Sequence, residues 1–110
     1  MITPGKIYQG TELRIAVNFQ NDSAADIDPD TVTFKLCDPY GEITTYVYLT
    51  DAELAKTSTG DYYVDVTPEL PGRWTYRWQT TGTGTKIAQE GEFIVRTSVF
   101  YDDVPPGAYR

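Results

Sequence analysis

The side chains that could do chemistry in this 110-residue chain are carboxylates, tyrosines and one thiol, since the sequence has no histidine and a single cysteine, Cys37. Without histidine, the chain offers no Ser–His or Cys–His pair for nucleophilic catalysis and no imidazole ligand for a metal. A single cysteine cannot form a disulfide within the chain. Two carboxylate pairs, Asp65 with Glu69 and Glu90 with Glu92, could serve acid–base chemistry, but nothing in the pattern selects either pair. We therefore predict no catalytic residue, no cofactor and no enzymatic activity.

An acidic segment at residues 21–30 is the other candidate for chemistry. It carries four aspartates: Asp22, Asp26, Asp28 and Asp30. Calcium takes about six to eight oxygen ligands, which aspartates and loop carbonyls can supply. The spacing differs from that of an EF-hand loop, and Pro29 separates Asp28 from Asp30. We therefore expect a solvated acidic loop rather than a metal site.

The overall charge narrows the choice of partner. Sixteen acidic side chains outnumber nine basic ones, which gives a net charge of −7. Because nucleic acids and anionic membranes are bound by clustered lysines and arginines, we expect neither as a partner. The first residues lack the basic and apolar regions of a signal peptide, and no apolar run approaches the roughly 20 residues of a membrane-spanning helix. We therefore expect a soluble protein made in the cytoplasm.

Alternating apolar and polar residues predict strands along nearly the whole chain. The apolar rows are Leu13, Ile15, Val17 and Phe19; Val32, Phe34 and Leu36; Tyr62, Val64 and Val66; Trp74, Tyr76 and Trp78; and Phe93 and Val95. Proline and glycine fall between these rows, where tight turns need them. Six or seven short strands at this spacing indicate an antiparallel β-sandwich over residues 1–95, with Trp74, Tyr76 and Trp78 in its core.

A further run, residues 43–49, has two faces of different chemistry. Ile43, Val47 and Leu49 share one face, and Tyr46 and Tyr48 take the other. If the tyrosine faces point to solvent, Tyr46 and Tyr48, together with Tyr63 in the run at residues 62–66, form an aromatic binding surface, because tyrosine is enriched at protein interfaces. Scattered surface tyrosines are the alternative.

The C-terminal extension, residues 96–110, is unusually apolar for a tail. It contains five large apolar or aromatic side chains that we predict to bind a partner: Val99, Phe100, Tyr101, Val104 and Tyr109. Pro105 and Pro106 stiffen it toward an extended path. The extension either packs back on the sandwich or forms an arm that lies on another subunit.

Five stretches carry a resemblance to known proteins. Residues 59–66 (TGDYYVDV), 71–78 (PGRWTYRW) and 91–95 (GEFIV) resemble immunoglobulin-like β-sandwich modules. The opening stretch, residues 10–19 followed by 28–34, is similar to small proteins encoded among the virion genes of tailed bacteriophages. The resemblance covers roughly residues 7–95. It implies an immunoglobulin-like fold of about seven strands and a structural or binding role in a virion.

From this resemblance we expect a non-enzymatic structural protein of a phage particle, present in many copies and assembled in the bacterial cytoplasm. The first choice is a capsid decoration or cement protein that binds the major capsid protein. A head–tail connector, or a neck or tail component bound to other virion proteins, is the alternative. A carbohydrate-binding module is a further alternative, and it would need Trp74 or Trp78 on an exposed face.

Overall fold

The computed structural model describes residues 7–82 and 86–97, and these ranges contain eight strands and no helix. The strands are β1 (Ile7–Tyr8), β2 (Leu13–Asn18), β3 (Thr31–Cys37), β4 (Ile43–Val47), β5 (Leu54–Ser58), β6 (Asp61–Val66), β7 (Gly72–Thr81) and β8 (Ala88–Arg96). They form a five-stranded sheet, in the order β1-β8-β7-β3-β4, and a three-stranded sheet, β2-β6-β5. The predicted all-β, immunoglobulin-like sandwich is confirmed. No helix in the described ranges is long and apolar enough to cross a bilayer.

The three-stranded sheet shows how the alternation builds the core. In β2, buried and exposed residues alternate strictly, as the period of two predicts. The antiparallel register of β2 and β6 sets Leu13 beside Val66 and Ile15 beside Val64, so the aliphatic side chains form one continuous inner face. That face packs against the inner face of the five-stranded sheet and excludes water from both.

Aromatic rings fill the space between the two sheets. Trp78 is 1% exposed and Trp74 is 8% exposed. The ring of Trp78 lies 4.7 Å from that of Phe34 on the neighbouring strand and 6.3 Å from that of Phe19, which follows β2. Trp74 stacks on Phe93 of β8 with ring centroids 6.0 Å apart. The predicted core role of the tryptophans is confirmed, and neither ring is available as a platform for a sugar.

The predicted boundary between a domain at residues 1–95 and an extension at 96–110 falls near the end of β8, at Arg96. Five of the predicted partner-binding residues lie outside the described residues: Val99, Phe100, Tyr101, Val104 and Tyr109.

Candidate functional site

Two of the three tyrosines of the predicted aromatic surface, Tyr46 and Tyr48, point toward the core rather than to solvent. Both are half-buried and pack against the hydrophobic core. The Tyr46 ring lies 6.1 Å from that of Phe34, and the Tyr48 ring makes an edge contact with Tyr62 at 5.1 Å. Burial also raises the pKa of the Tyr46 hydroxyl above its ordinary value. The condition on which the aromatic binding surface depended, a solvent-facing tyrosine face, is therefore not met.

The pairing of β3 with β4 explains this orientation. In the antiparallel register Tyr46 lies opposite Phe34, whose side chain is fully buried, so Tyr46 shares the core face. Because side chains alternate along a strand, Ile43 and Val47 must then point to the outer face of the sheet. The orientation of β4 is therefore opposite to the expected one: its tyrosines face the core, and its aliphatic side chains face outward.

The outward turn of β4 exposes large apolar side chains that the sequence-based interpretation missed. Ile43 is 61% exposed, Tyr40 in the turn before β4 is 81% exposed, and Leu49 just after β4 is 87% exposed. All three lie within one hairpin and the turn that follows it. The sequence contained a signal for this orientation. A tight turn centred on Tyr40 places Tyr46 opposite Phe34, so Tyr46 shares the buried face of Phe34 and Ile43 faces outward.

The turn that presents Tyr40 is held by the Asp38 side chain. Asp38 Oδ1 accepts hydrogen bonds from the backbone N–H groups of Tyr40 and Glu42, each at 2.9 Å. Gly41 adopts φ +90°, which a side-chain-bearing residue rarely does. The turn is therefore well defined, although its tyrosine makes little contact with the rest of the molecule.

The backbone of β4 faces solvent along part of the sheet edge. Val47 N–H donates to Asp51 Oδ2 at 2.8 Å, and Val47 C=O accepts from the N–H groups of Thr50 and Asp51, so the peptide groups of Val47 point away from β3. In an antiparallel ladder, residues two apart point the same way. The N–H and C=O groups of Ile43 and Thr45 therefore also point outward, and no partner is found for them in the part of the chain that the structure describes.

The outer face beside β4 contains a shallow depression of about 500 Å³. Its lining includes Lys35, Cys37, Ile43 and Arg77. Arg77 donates to Glu90 Oε2 at 2.9 Å and to Gln79 Oε1 at 2.9 Å. Lys35, which lies between Arg77 and Thr45 in the register, has no ion pair within the described ranges. Glu90 and Glu92 also line the depression but are paired with Arg77 and Arg73, so the depression combines an exposed apolar side chain with a lysine that has no ion pair in the described ranges.

The acidic segment has a structural role that the expectation of a solvated loop did not include. Asp28 accepts three hydrogen bonds: from Lys56 Nζ at 2.7 Å, from Gly60 N–H at 2.9 Å and from the Tyr62 hydroxyl at 3.2 Å. The hydrogen bond from Lys56, followed by that from Gly60, holds the pKa of Asp28 below its ordinary value. Burial, with the nearby Asp28 carboxylate, raises the pKa of Tyr62 to about 12.

A second aspartate of that segment is also engaged. Asp26 Oδ1 accepts from Asn18 Nδ2 and from Gln20 Nε2, each at 3.2 Å. The segment is therefore joined to β2, β5 and β6 through Asp26 and Asp28. No group of three or more Cys, Asp and Glu side chains in residues 7–82 and 86–97 is arranged to hold a metal ion.

The outer face of the three-stranded sheet carries one further aromatic side chain, Tyr63. The guanidinium of Arg14 lies 3.7 Å from the centre of the Tyr63 ring and makes a bidentate pair with Asp65, at 2.8 and 3.0 Å. This pairing holds the pKa of Asp65 below its ordinary value. Because Arg14 covers the ring face, Tyr63 does not offer an open stacking surface.

Comparisons with known proteins support the fold. No protein-family model and no curated protein matches this chain. Among solved structures, the chain is similar to part of the chitinase ChiW of Paenibacillus sp. str. FPU-7, a multi-modular enzyme expressed on the bacterial cell surface. The TM-score is 0.59 at 21% sequence identity, over 86% of this chain and 8% of the chitinase chain. At this identity the likeness shows a shared β-sandwich fold.

Proposed function

We propose that this β-sandwich is a non-enzymatic structural protein of a tailed-phage particle, located in the virion as a decoration protein that binds the major capsid protein. The exposed apolar group formed by Tyr40, Ile43 and Leu49, called the hairpin patch below, carries the proposal. Tyr40 and Ile43 lie at one end of β4 and Leu49 follows its other end, so the three side chains line one edge hairpin of the sheet. Exposed apolar side chains scattered singly are ordinary, but several along one edge hairpin favour a contact surface. The core of the sandwich is complete without them.

The state of the polar side chains supports a binding role over a catalytic one. Asp65 is paired with Arg14, Glu90 with Arg77 and Glu92 with Arg73, so each candidate acid–base pair has at least one member in a salt bridge. Asp28 and Asp26 join the acidic segment to neighbouring strands. These carboxylates stabilise the fold, and the hairpin patch is left as the surface that gains most from a partner.

A direct test uses the phage that encodes the chain. Its gene is replaced by a variant with Ile43→Thr and Leu49→Asn, and the copies per particle are counted by quantitative mass spectrometry of gradient-purified virions. Asn suits Leu49 because this residue has φ +74°, a conformation in which asparagine is well tolerated. We expect the wild-type chain in every particle and at least about a tenfold loss of the variant, the effect of about 1.4 kcal/mol of binding free energy.

The matched control is Ile94→Thr, which replaces an exposed apolar residue on β8, away from the hairpin patch. We expect normal incorporation of this variant. Absence of the wild-type chain from purified particles would overturn the proposal. Copy number separates a decoration protein, present in hundreds of copies, from a ring-forming connector or neck component.

The likeness to ChiW favours a second candidate, a non-catalytic accessory module of a larger cell-surface protein. An antibody against the chain distinguishes the two by the size of the natural polypeptide. A band near 12.4 kDa is expected for the virion protein. A much larger band on the cell surface would favour the accessory module.

A further inference from the structure

The free edge of β4 is shaped to receive another strand. Ile43 and Thr45 present their N–H and C=O groups outward, while Asp51 closes the Val47 end of the edge. Natural sheets usually protect an edge with a charge, a proline or a bulge. β5 follows this rule, with Lys56 and a register shift between Lys56 and Ser58, but β4 has neither a charged residue nor a proline.

The side chains on the outer face next to this edge predict which residues an added strand should carry. Along β4 the outward side chains are Ile43, Thr45 and Val47, which read apolar, small, apolar. Lys35 lies directly behind Thr45, and it has no ion pair within the described ranges. Because Thr45 is small, the long lysine side chain can pass over it to the next strand. The complementary strand would have an acidic residue flanked by two apolar ones, each two positions away.

The C-terminal extension contains this pattern. In residues 99–104, Phe100, Asp102 and Val104 fall at alternate positions, and Pro105 follows them. These residues lie outside the described ranges, so the match concerns their sequence alone. We propose that residues 99–104 of a second copy of this chain add to the β4 edge as a strand, with Asp102 beside Lys35. The inference rests on the proposed function, because it supplies the contact between copies in an assembly.

The C-terminal extension is too short to reach the β4 edge of its own chain, so the proposed contact requires a second copy. The register sets one row across the five-stranded sheet: Thr45, Lys35, Arg77 and Glu90. A strand added beyond β4 lies four strand spacings from β8, roughly 19 Å. Glu90 is six residues before Arg96, roughly 20 Å along β8, so the position beside Thr45 is roughly 28 Å from Arg96. Asp102 is six residues after Arg96 and reaches at most about 21 Å.

A contact of this kind is head-to-tail, because the extension of one copy occupies the edge of the next. Such contacts generate open chains or closed rings, the smallest of which is a pair of copies that exchange their extensions. Each copy then contributes one donor segment and one acceptor edge.

The test is sedimentation velocity of the full-length protein over a range of concentrations. We expect the wild-type chain to self-associate and Thr45→Pro to weaken association by about tenfold or more, since proline removes the outward N–H of the edge. Proline is tolerated at an edge position whose N–H faces solvent, so the fold should be retained, and circular dichroism checks it. Thr45→Val is the matched control, because it keeps the N–H group and should associate normally.

Charge exchange tests the predicted pair. Lys35→Glu and Asp102→Lys should each weaken association by about fivefold, and the double variant should restore it. Failure of the double variant to recover would contradict the pairing of Lys35 with Asp102.

Mixing two defective variants tests whether the contact joins different copies. Thr45→Pro keeps a working extension, and Asp102→Pro keeps a working edge, so a mixture should form one-to-one dimers although each variant alone self-associates at least about tenfold more weakly than the wild type. Normal self-association of Thr45→Pro, or a wild-type protein that stays monomeric, would overturn the inference. A monomeric wild-type chain that is still found in purified particles would leave the proposed function standing and refute only this contact.

Discussion

Two regions of the sandwich differ in how their side chains are bound to the rest of the molecule. The acidic segment at residues 21–30 is joined to the neighbouring strands through Asp26 and Asp28, whereas the hairpin patch exposes Tyr40, Ile43 and Leu49. Hydropathy alone predicts the solvent exposure of the aspartates, which the structure shows, but not their hydrogen bonds to other strands; it would place Ile43 and Leu49 in the core. The difference shows that a side chain's partners, rather than its polarity, decide whether it belongs to the structure or to a surface.

The two regions also differ in how much of the molecule depends on them. Around the acidic segment, Phe19 joins backbone and core: its N–H donates to Gly60 C=O at 2.8 Å, and its C=O accepts from Ile27 N–H at 3.0 Å. Its ring contacts Tyr62 and Trp78. Within residues 7–82 and 86–97, the side chains of Tyr40, Ile43 and Leu49 are not part of the hydrophobic core or packed against it. Substitutions should therefore cost stability in the first region and binding in the second.

The largest expected effect is that of Phe19→Ala. Phe19 is fully buried, and removing its ring should destabilise the fold by about 3–5 kcal/mol. Leu49→Ala in the hairpin patch should change stability by less than about 0.5 kcal/mol. Urea unfolding of both variants measures the difference. Similar losses for the two substitutions would show that the regions do not differ as described.

A smaller contrast is expected between two glycines with positive φ. A Cβ at Gly60 (φ +81°) would lie 2.8 Å from the backbone oxygen of Phe19, whereas a Cβ at Gly41 (φ +90°) would meet no atom within 4 Å. Both alanine variants bear the cost of a left-handed conformation, about 1–2 kcal/mol. Gly60→Ala should lose about 1–3 kcal/mol more, because the backbone around Phe19 must shift. Equal losses in thermal unfolding would mean that the Gly60 turn tolerates the shift.

The smallest effect, and the one most specific to the acidic segment, is the pH dependence contributed by Asp28. Its folded-state pKa lies below the ordinary 3.8, so the carboxylate stabilises the fold above that pH. The stabilisation is lost as the pH falls through the lowered folded-state pKa. Asp28→Asn should therefore lower the urea midpoint at neutral pH and narrow its gap to the wild type in acid. A gap that is the same at both pH values would contradict this role.

Whether the sequence predicts the position of a side chain differs from residue to residue. Trp74, Trp78 and Val64 lie where the alternation places them, because large apolar residues on a regular strand leave few alternatives. Tyr46 and Ile43 do not, since both faces of β4 are apolar enough to be buried. The pairing with Phe34 decides between those faces. Asp28 could not be placed from local pattern, because its partners Lys56 and Tyr62 are 28 and 34 positions away in the sequence.

The sequence by itself determined the all-β class, the positions of the turns and which residues share a strand face, because a period of two and the backbone preferences of glycine and proline are local properties. The tertiary structure alone decided which face of β4 points inward, which aspartates are bound to other strands and where a free edge remains. Each of these depends on which strands become neighbours. That choice is made by contacts between residues far apart in the chain, such as Phe34 with Trp78 and Asp28 with Lys56.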